Sequence, residues 1–346
     1  MIEHLHRLAA HAYYCGEHAV GRRACERLLR LQLSPEREQK VRANRTWYTR
    51  TLAGMGVDAT LERIDFARRP GWSLFNPSAA VIDGTLVVNV RSSNYTIGSD
   101  GRYIIPPEDG ERIRTENYLW DHEGTPSLVS ATYATSDFPV EGLEDVRLNV
   151  VDGRLLASAT IRNWKGYDGT CRIGYGRVAG CIHDLVCHET IPDRHEKNWM
   201  PILGHREWLY SCHERGHTCL VRDDGDDWTV EAHAEAPPVA REFRGGSQLV
   251  PIGEGRWLAV IHEVAAPAGR RVYEHRFVMF NEPEGWRITH VSPPFAFREP
   301  RTIEFCAGLA MVDRRLVASF GVNDAQAWLA WMPLDQVLGV MEDAWE

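Results

Sequence analysis

The sequence contains no run of about 18 apolar residues that would cross a bilayer as a helix. Its first twenty residues, MIEHLHRLAAHAYYCGEHAV, lack a basic stretch followed by an unbroken apolar one. A cytoplasmic protein without membrane contact is the expectation. There is no run of lysines and arginines able to track a phosphate backbone, and 39 basic against 48 acidic residues leave a formal charge of −9, which argues against nucleic acid as a partner. No Cys-x-x-Cys occurs. The eight cysteines are scattered, and in a chain of 346 residues without a secretion signal this implies reduced, mostly buried thiols. HDLVCHET and SCHERGHTC bring Cys187, His188, Cys212, His213, His217 and Cys219 into two short stretches, but their spacings form no recognisable zinc knuckle, so no metal is expected. Gly-x-Ser-x-Gly and Walker patterns are missing, and no Gly-x-Gly-x-x-Gly joins a strand to a helix. A serine nucleophile and a nucleotide cofactor are therefore both unsupported.

Hydrophobic residues make up 44% of the chain and charged residues 25%, an ordinary globular composition with enough apolar surface for a sizeable core. Residues 1–55 carry a helical pattern, with Leu5, Leu8, Ala9, Ala12 and Tyr13, then Val20, Ala24, Leu28 and Leu29, at spacings of three and four. Gly16 breaks the first helix, and Ser34-Pro35-Glu36 starts another that the pattern extends to Leu52. AYYCGEHAVGRRACERLL resembles a tetratricopeptide hairpin. One or two such hairpins cannot build a solenoid, because each repeat needs neighbours to cover its apolar face. A cap packed on the main domain is expected, with a surface for a protein partner or a homo-oligomer as the alternative.

Residues 56–346 change to short alternating apolar runs separated by turn residues such as Asp83-Gly84, Asp152-Gly153 and Glu254-Gly255. One arrangement recurs: a polar tag, an apolar run, a turn and a second apolar run. Copies start near residues 75, 143, 196, 244 and 304, roughly 48–68 residues apart, a period that suits four-stranded propeller blades. The expected fold is all-β, a five-bladed β-propeller over residues 56–346 preceded by a small α-helical hairpin. Inner strands of a propeller run along a common channel, so the tags Asn76, Glu144-Asp145, Lys197-Asn198, Arg244 to Gln248, and Glu304 are expected to meet in one pocket. Arg91, Arg147, His262, His275 and Asp324 join them. Carboxylates among tryptophan and tyrosine suit sugars, which offer hydroxyls to acceptors and apolar faces to rings. Cleaving a glycoside needs an acid for the leaving oxygen, and inversion needs a nucleophile from the opposite face. A phosphate nucleophile would need cations to hold it.

FNPS…VNVR, GLEDVRL, EKNWMPI, RGGSQLV, WLAVIHEV, YEHRFVMF, SPPFAF and EFCAGLA…SFGVNDAQAWLA resemble, in order, the motifs of glycoside hydrolase family 130, the inverting β-mannoside phosphorylases and hydrolases. The resemblance covers roughly residues 70–335 and implies a five-bladed propeller. It places the family's catalytic acid, the aspartate of Gly-x-Glu-Asp-Pro-Arg, on Asp145, with the proton relayed through a substrate hydroxyl. Glu144 and Arg147 would flank it, and Val146 stands where the family has proline. Phosphate-holding cations would fall on Arg244, His262 and either His213 or Arg215. Glu263, Glu214 and Glu196 leave room for water activation instead. Asp324, Tyr273 and His275 would line the sugar pocket.

The expected activity is inverting cleavage or formation of a β-mannoside-like bond, by phosphorolysis or hydrolysis. Inorganic phosphate is the possible co-substrate, no metal or organic cofactor is needed, and an oligosaccharide or glycoside is the substrate. Two alternatives remain open: a glycosyltransferase using a sugar phosphate or nucleotide sugar, and a non-catalytic carbohydrate-binding propeller.

Overall fold

A computed structural model describes residues 1–98, 101–167, 169–187, 194–223, 225, 228–266 and 271–345. The chain opens with three helices rather than one hairpin: α1 (Ile2–His11), α2 (His18–Leu29) and α3 (Pro35–Thr46). They share a small core of Ala9, Ala24, Cys25, Leu28, Val41 and Tyr48. The third helix stops six residues before the expected Leu52, because tertiary pairing overrides helical periodicity there. The Thr49 hydroxyl donates to Glu274 Oε1 at 2.5 Å, and β1 (Arg50–Thr51) already pairs in parallel with Phe295–Ala296. No helix among the described residues is long and apolar enough to cross a membrane.

The rest is mostly strand. After β2 (Thr60–Ile64), the first sheet contains β3 (Ser73–Ile82) and β4 (Thr85–Ser93). A two-stranded hairpin of β5 (Thr96–Ile97) and β6 (Tyr103–Ile104) then interrupts the chain. The sheet resumes with β7 (Ile113–Trp120), β8 (Ser127–Val129) and β9 (Val140–Glu141). The second sheet is a meander of β10 (Leu143–Val151), β11 (Arg154–Ile161), β12 (Arg172–Ala179) and β13 (Cys181–Cys187). The third repeats it with β14 (Met200–Pro201), β15 (Glu207–Glu214), β16 (His217–Asp223) and β17 (Trp228–Glu235). The fourth is built on β18 (Val250–Gly253), β19 (Arg256–Ala265), β20 (Val272–Asn281), β21 (Arg287–Val291) and β22 (Phe295–Ala296). The fifth runs β23 (Glu304–Val312), β24 (Arg315–Val322) and β25 (Gln326–Pro333); a short α4 (Leu334–Gly339) and β26 (Glu342–Asp343) follow.

Each of the five sequence repeats opens a separate sheet of at least four strands. The predicted turns are tight: Asp152 and Gly153 have φ of 51° and 69°, the left-handed pair that matches the twist of a hairpin, and Asp83-Gly84 and Glu254-Gly255 do the same. Neighbouring sheets pack on one another. β10 lies on β3 and β4, β14 on β10, β17 on β21, β18 and β19 on β23, and β23 and β24 return to β3. The outer strand of the fifth sheet is β2, which pairs antiparallel with β25 from Thr60↔Trp331 to Ile64↔Ala327. A strand from before the first sheet thus completes the last one, a long-range pairing with no local sequence signal. The architecture is propeller-like.

The helices are fastened to the fourth sheet by buried charge. On β19 and β20, His262 pairs with His275 and Glu263 with Glu274, so these two pairs point to opposite faces. On the helical face, Arg45 of α3 forms ion pairs with Glu263 and, at 3.1 Å, with Glu274. Arg276 donates to Glu263 Oε1 at 2.6 Å and to Glu26 of α2 at 3.1 Å. Burial works against the charge on Arg45, yet Glu263 and Glu274 outweigh it and raise its pKa. Glu263 is the mirror image: burial opposes ionisation, and Arg45 and Arg276 hold the carboxyl below its ordinary value. Removing one partner leaves an uncompensated charge inside. Arg45→Ala should therefore lower unfolding free energy by about 3–5 kcal/mol, whereas Arg42→Ala, which breaks the exposed pairs with Glu38 and Glu242, should cost at most about 1 kcal/mol. Urea denaturation of both variants checks this, and equal losses would show that the buried network is not the fastening.

Candidate active site

β3 and β10 each begin with a β-bulge, one between Phe75 and Ser78 and the other between Glu144 and Arg147. Inside the bulges Asn76 and Asp145 adopt left-handed backbone angles, φ 43° and 50°, and Asn198, just before β14, does so at 60°. Asparagine and aspartate tolerate this region better than other non-glycine residues, and a bulge re-aims the side chain it carries. The strained tags turn inward and meet. Asp145 Oδ1 accepts hydrogen bonds from Asn76 Nδ2 and from Arg91 Nη1, both at 2.9 Å, and Arg91 Nη2 reaches Glu144 Oε1 at 3.2 Å. Arg147 donates through Nη1 to the Asp145 carbonyl at 3.1 Å, through Nη2 to Asn198 Oδ1 at 3.2 Å, and through Nε to the Gly246 carbonyl at 2.7 Å. That last contact requires glycine: a Cβ on Gly246 would sit 2.2 Å from the Val260 carbonyl oxygen.

Arg91 and Arg147 are buried, but the Asp145 side chain keeps 23% of its surface exposed, so the carboxylate is both gripped and open to a ligand. Burial alone would raise its pKa. Arg91, the Asn76 amide and Arg147 reverse this and hold Asp145 below the usual carboxylate range. Asp324, at left-handed φ 49° and accepting the Tyr95 hydroxyl at 2.8 Å, goes the other way: burial raises it, Arg91 offsets this only in part, and the Asp145 charge raises it further. Next to Asn198 opens a cavity of about 150 Å³ lined by Lys197, Tyr210, Ser211, Phe243 and Arg244. Arg244 exchanges both backbone hydrogen bonds with His262, whose ring stacks on Tyr273 at 4.8 Å. The cluster combines an anchored carboxylate, a second carboxyl on Tyr95 and a cationic recess.

No protein-family model matches this sequence, and no curated protein matches it. Solved structures do. A β-1,2-mannobiose phosphorylase from Listeria innocua, in complex with β-1,2-mannobiose, superposes with a TM-score of 0.54 at 12% identity, over 81% of this chain and 98% of that one. A glycoside hydrolase of the GH130 family of mannoside phosphorylases, targeting β-1,2-mannosidic linkages in Candida mannan, gives 0.51 at 14% identity, over 75% and 84%. A GDP-Man-dependent mannosyltransferase from Leishmania mexicana gives 0.51 at 15%, over 79% and 89%. The chain has the fold of these mannoside-acting proteins.

Within that fold, Asn76, Arg91, Glu144, Asp145, Arg147 and Asn198 are brought together as the sequence suggests, and Lys197 and Arg244 line the adjoining recess. Other expected site residues lie elsewhere. Gln248 is fully buried and spends its amide on backbone, donating to the Ala79 carbonyl and accepting from Leu309 N–H, so it ties three sheets together. His275 is enclosed by Phe295 and Phe297 in the core. Glu304 is fully buried and accepts Phe297 N–H at 2.8 Å. His213 near the end of β15 and Arg215 in the turn that follows do not line the recess, and among the described residues neither is hydrogen-bonded or ion-paired to Arg244 or Asp145. His262 is buried behind Arg244, and burial, reinforced by His275 and Arg244, keeps its imidazole neutral, so it offers a phosphate no charge. Of the carboxylates that could activate water, Glu263 is locked between Arg45 and Arg276 on the opposite face, and Glu196 accepts Trp199 Nε1 at 3.0 Å. His188 lies outside the described residues. Tyr95 was not foreseen: it follows β4 without any motif, and only its contact with Asp324 marks it.

Burial pushes the Glu304 carboxyl up to about 8, against the Phe297 N–H that favours its charge. The folded protein therefore holds a proton there that the unfolded chain releases near pH 4–5. This favourable term is whole at acid pH and shrinks as pH rises toward 8. Glu304→Gln keeps the acceptor for Phe297 and removes the titration. Melting temperatures from pH 5 to 9 should fall for the parent relative to the variant, and parallel curves would mean that Glu304 is ionised in the fold.

Proposed function

We propose that this chain is an inverting carbohydrate-active enzyme on a five-bladed propeller, a relative of the GH130 mannoside phosphorylases, that breaks or makes a β-mannoside-like bond at Asp145. The observation that carries this reading is the anchored, half-open carboxylate on a strained bulge, gripped by Asn76 and Arg91 and flanked by a recess holding Lys197 and Arg244. A purely structural carboxylate needs no strain of this kind, and such outliers collect at functional sites. The similarity to structures described as a mannobiose phosphorylase and as a mannosyltransferase supports the substrate class.

Phosphorolysis fits better than hydrolysis. Lys197 and Arg244, which make no ion pair among the described residues, supply the charge that a phosphate nucleophile requires, whereas Glu263 and Glu196 are occupied by structural partners. Asp145 is the proton-transfer group, Glu144 orients Arg91, and Arg147 ties Asp145 to Asn198. Asp324 with Tyr95 is suited to bind sugar hydroxyls. The transferase reading draws on one specific feature: an ionised Asp145 is ready to act as a base, taking a proton from an acceptor hydroxyl in the synthetic direction. By microscopic reversibility the same group is the acid in cleavage.

Two predictions follow from this assignment. Sugar release from β-mannosides and mannobioses should require inorganic phosphate and yield a sugar 1-phosphate. Asp145→Asn should abolish turnover, by about 10²-fold or more, while the chain still folds and binds sugar, with a melting temperature lowered because the buried Arg91 keeps only Glu144 as a charged partner. Phosphate-independent free sugar would replace phosphorolysis by hydrolysis, and silence on every substrate with binding retained would favour a transferase or a binding propeller. The depressed Asp145 pKa also sets a direction with pH. The acid form grows as pH falls toward that pKa, so kcat/KM for cleavage should rise from pH 8 to pH 6, while synthesis from a sugar 1-phosphate should not. Identical profiles in both directions would remove Asp145 from the proton transfer.

A further inference from the structure

A second recess lies away from Asp145, between α2 and the edge of the fourth sheet where β21 meets β26. Its volume is about 320 Å³, at the small end of the range for small-molecule clefts. Five arginines line it against three carboxylates, an excess of two positive charges, and Val239, Val291 and Ala344 add an apolar patch. The carboxylates are already committed. Glu26 bridges Arg22, at 2.7 Å, and Arg276, at 3.1 Å; Glu342 holds Arg22 at 2.6 and 2.8 Å; Asp343 Oδ1 accepts Trp345 N–H at 2.7 Å. These contacts neutralise the two buried guanidiniums, which could not stand uncompensated.

What is left over is Arg23 and Arg27 on α2 and Arg30 at its C-cap, at i, i+4 and i+7 along one side. Arg23 and Arg27 are exposed and make no ion pair among the described residues, and Arg30 donates only to the Trp345 carbonyl at 3.5 Å. Like charges at this spacing repel along a helix. The helix dipole explains arginines in the last turn but not Arg23. A row of unneutralised guanidiniums beside an apolar patch matches an anion with several acceptor oxygens attached to a small carbon skeleton, because the planar fork of arginine suits phosphate oxygens two at a time.

We propose that this cleft is a second ligand site, separate from the reaction assigned to Asp145, that binds a small phosphate-bearing anion through Arg23, Arg27 and Arg30. Its occupant bridges the helical segment and the body at the end of the same charge network that fastens them.

Calorimetric titration of the full chain with inorganic phosphate and with a hexose 6-phosphate, in about 150 mM salt to screen diffuse attraction, tests the proposal. Three variants accompany the parent: Arg23→Ser/Arg27→Ser, a charge-matched Arg7→Ser/Arg37→Ser control on exposed positions of α1 and α3, and Arg244→Ala in the candidate active site. The expected result is a binding component that weakens tenfold or more in the first variant and persists in the other two, with Arg244→Ala removing only the phosphate held in the active-site recess. The stronger of the two probes identifies whether the free ion or an ester is the preferred form. The proposal is overturned if neither probe binds at millimolar concentration, if Arg7→Ser/Arg37→Ser weakens binding equally, or if binding is lost with Arg244→Ala and not with Arg23→Ser/Arg27→Ser. Because the Arg244 variant reports on the active site separately, failure of this site and failure of the phosphorylase reading give different patterns.

Discussion

A guanidinium taken out of water must be met by carboxylate or carbonyl oxygens, and this constraint organises the molecule. Arg91 satisfies it with Asp145 and Glu144, and so draws the starts of the first and second sheets together. Arg147 satisfies it with the Asp145 and Gly246 carbonyls and Asn198, which brings in the third and fourth. Its compensation is leaner: burial depresses Arg147 to about 10, with only Asp145 and Cys306 opposing. Arg45 and Arg276 meet the same need against Glu263, Glu274 and Glu26, and so attach the helices. The site and the cap are two solutions of one electrostatic problem.

Legibility in the sequence followed the range of the interactions. The repeats were readable because a turn such as Asp152-Gly153 and its flanking alternation are local, and each repeat opens a sheet. Asn76, Glu144, Asp145 and Asn198 were readable as a group because polar residues interrupt apolar strands at matching places. What failed was any reading that depended on a distant partner. Nothing near Gln248 announces that its amide will be consumed by Ala79 and Leu309, and nothing near Glu304 announces the Phe297 N–H. A polar residue in a strand looks the same whether it faces a ligand or pairs in the core. The same limit hid β2, whose partner β25 lies more than 250 residues away, and shortened α3, whose last expected turn is taken over by Glu274 and Phe295.

The opposed shifts of Asp145 and Asp324 give the site a chemical polarity. Both lie within the field of Arg91, but Asp145 receives the guanidinium and the Asn76 amide directly, whereas among the described residues Asp324 accepts only the Tyr95 hydroxyl. One carboxylate is held charged and the other leans toward its proton, the kind of separation that lets neighbouring acids take different roles. A sugar bound over Asp145 would displace water from the exposed side of the carboxylate and weaken its preference for charge. In the proposed reaction, ligand binding would then carry the group from resting base toward acid.

Strand alternation adds a consequence for the helical segment. His262, paired through its backbone with Arg244 of the recess, and Tyr273, stacked on the His262 ring, lie on one face, while Glu263 and Glu274, their immediate neighbours along β19 and β20, face α3. A strand cannot shift one face without the other, so the register and tilt of the pocket wall are held by Arg45 from behind. The helices are therefore built into the body rather than hung from it, and a partner docking on them would act on a surface already coupled to the wall. Arg276 and Glu26 extend the coupling to the arginine row on α2. The distance from that row to the pocket wall is bridged by four charged side chains in direct contact, Arg22, Glu26, Arg276 and Glu263, with His262 the next residue along the strand.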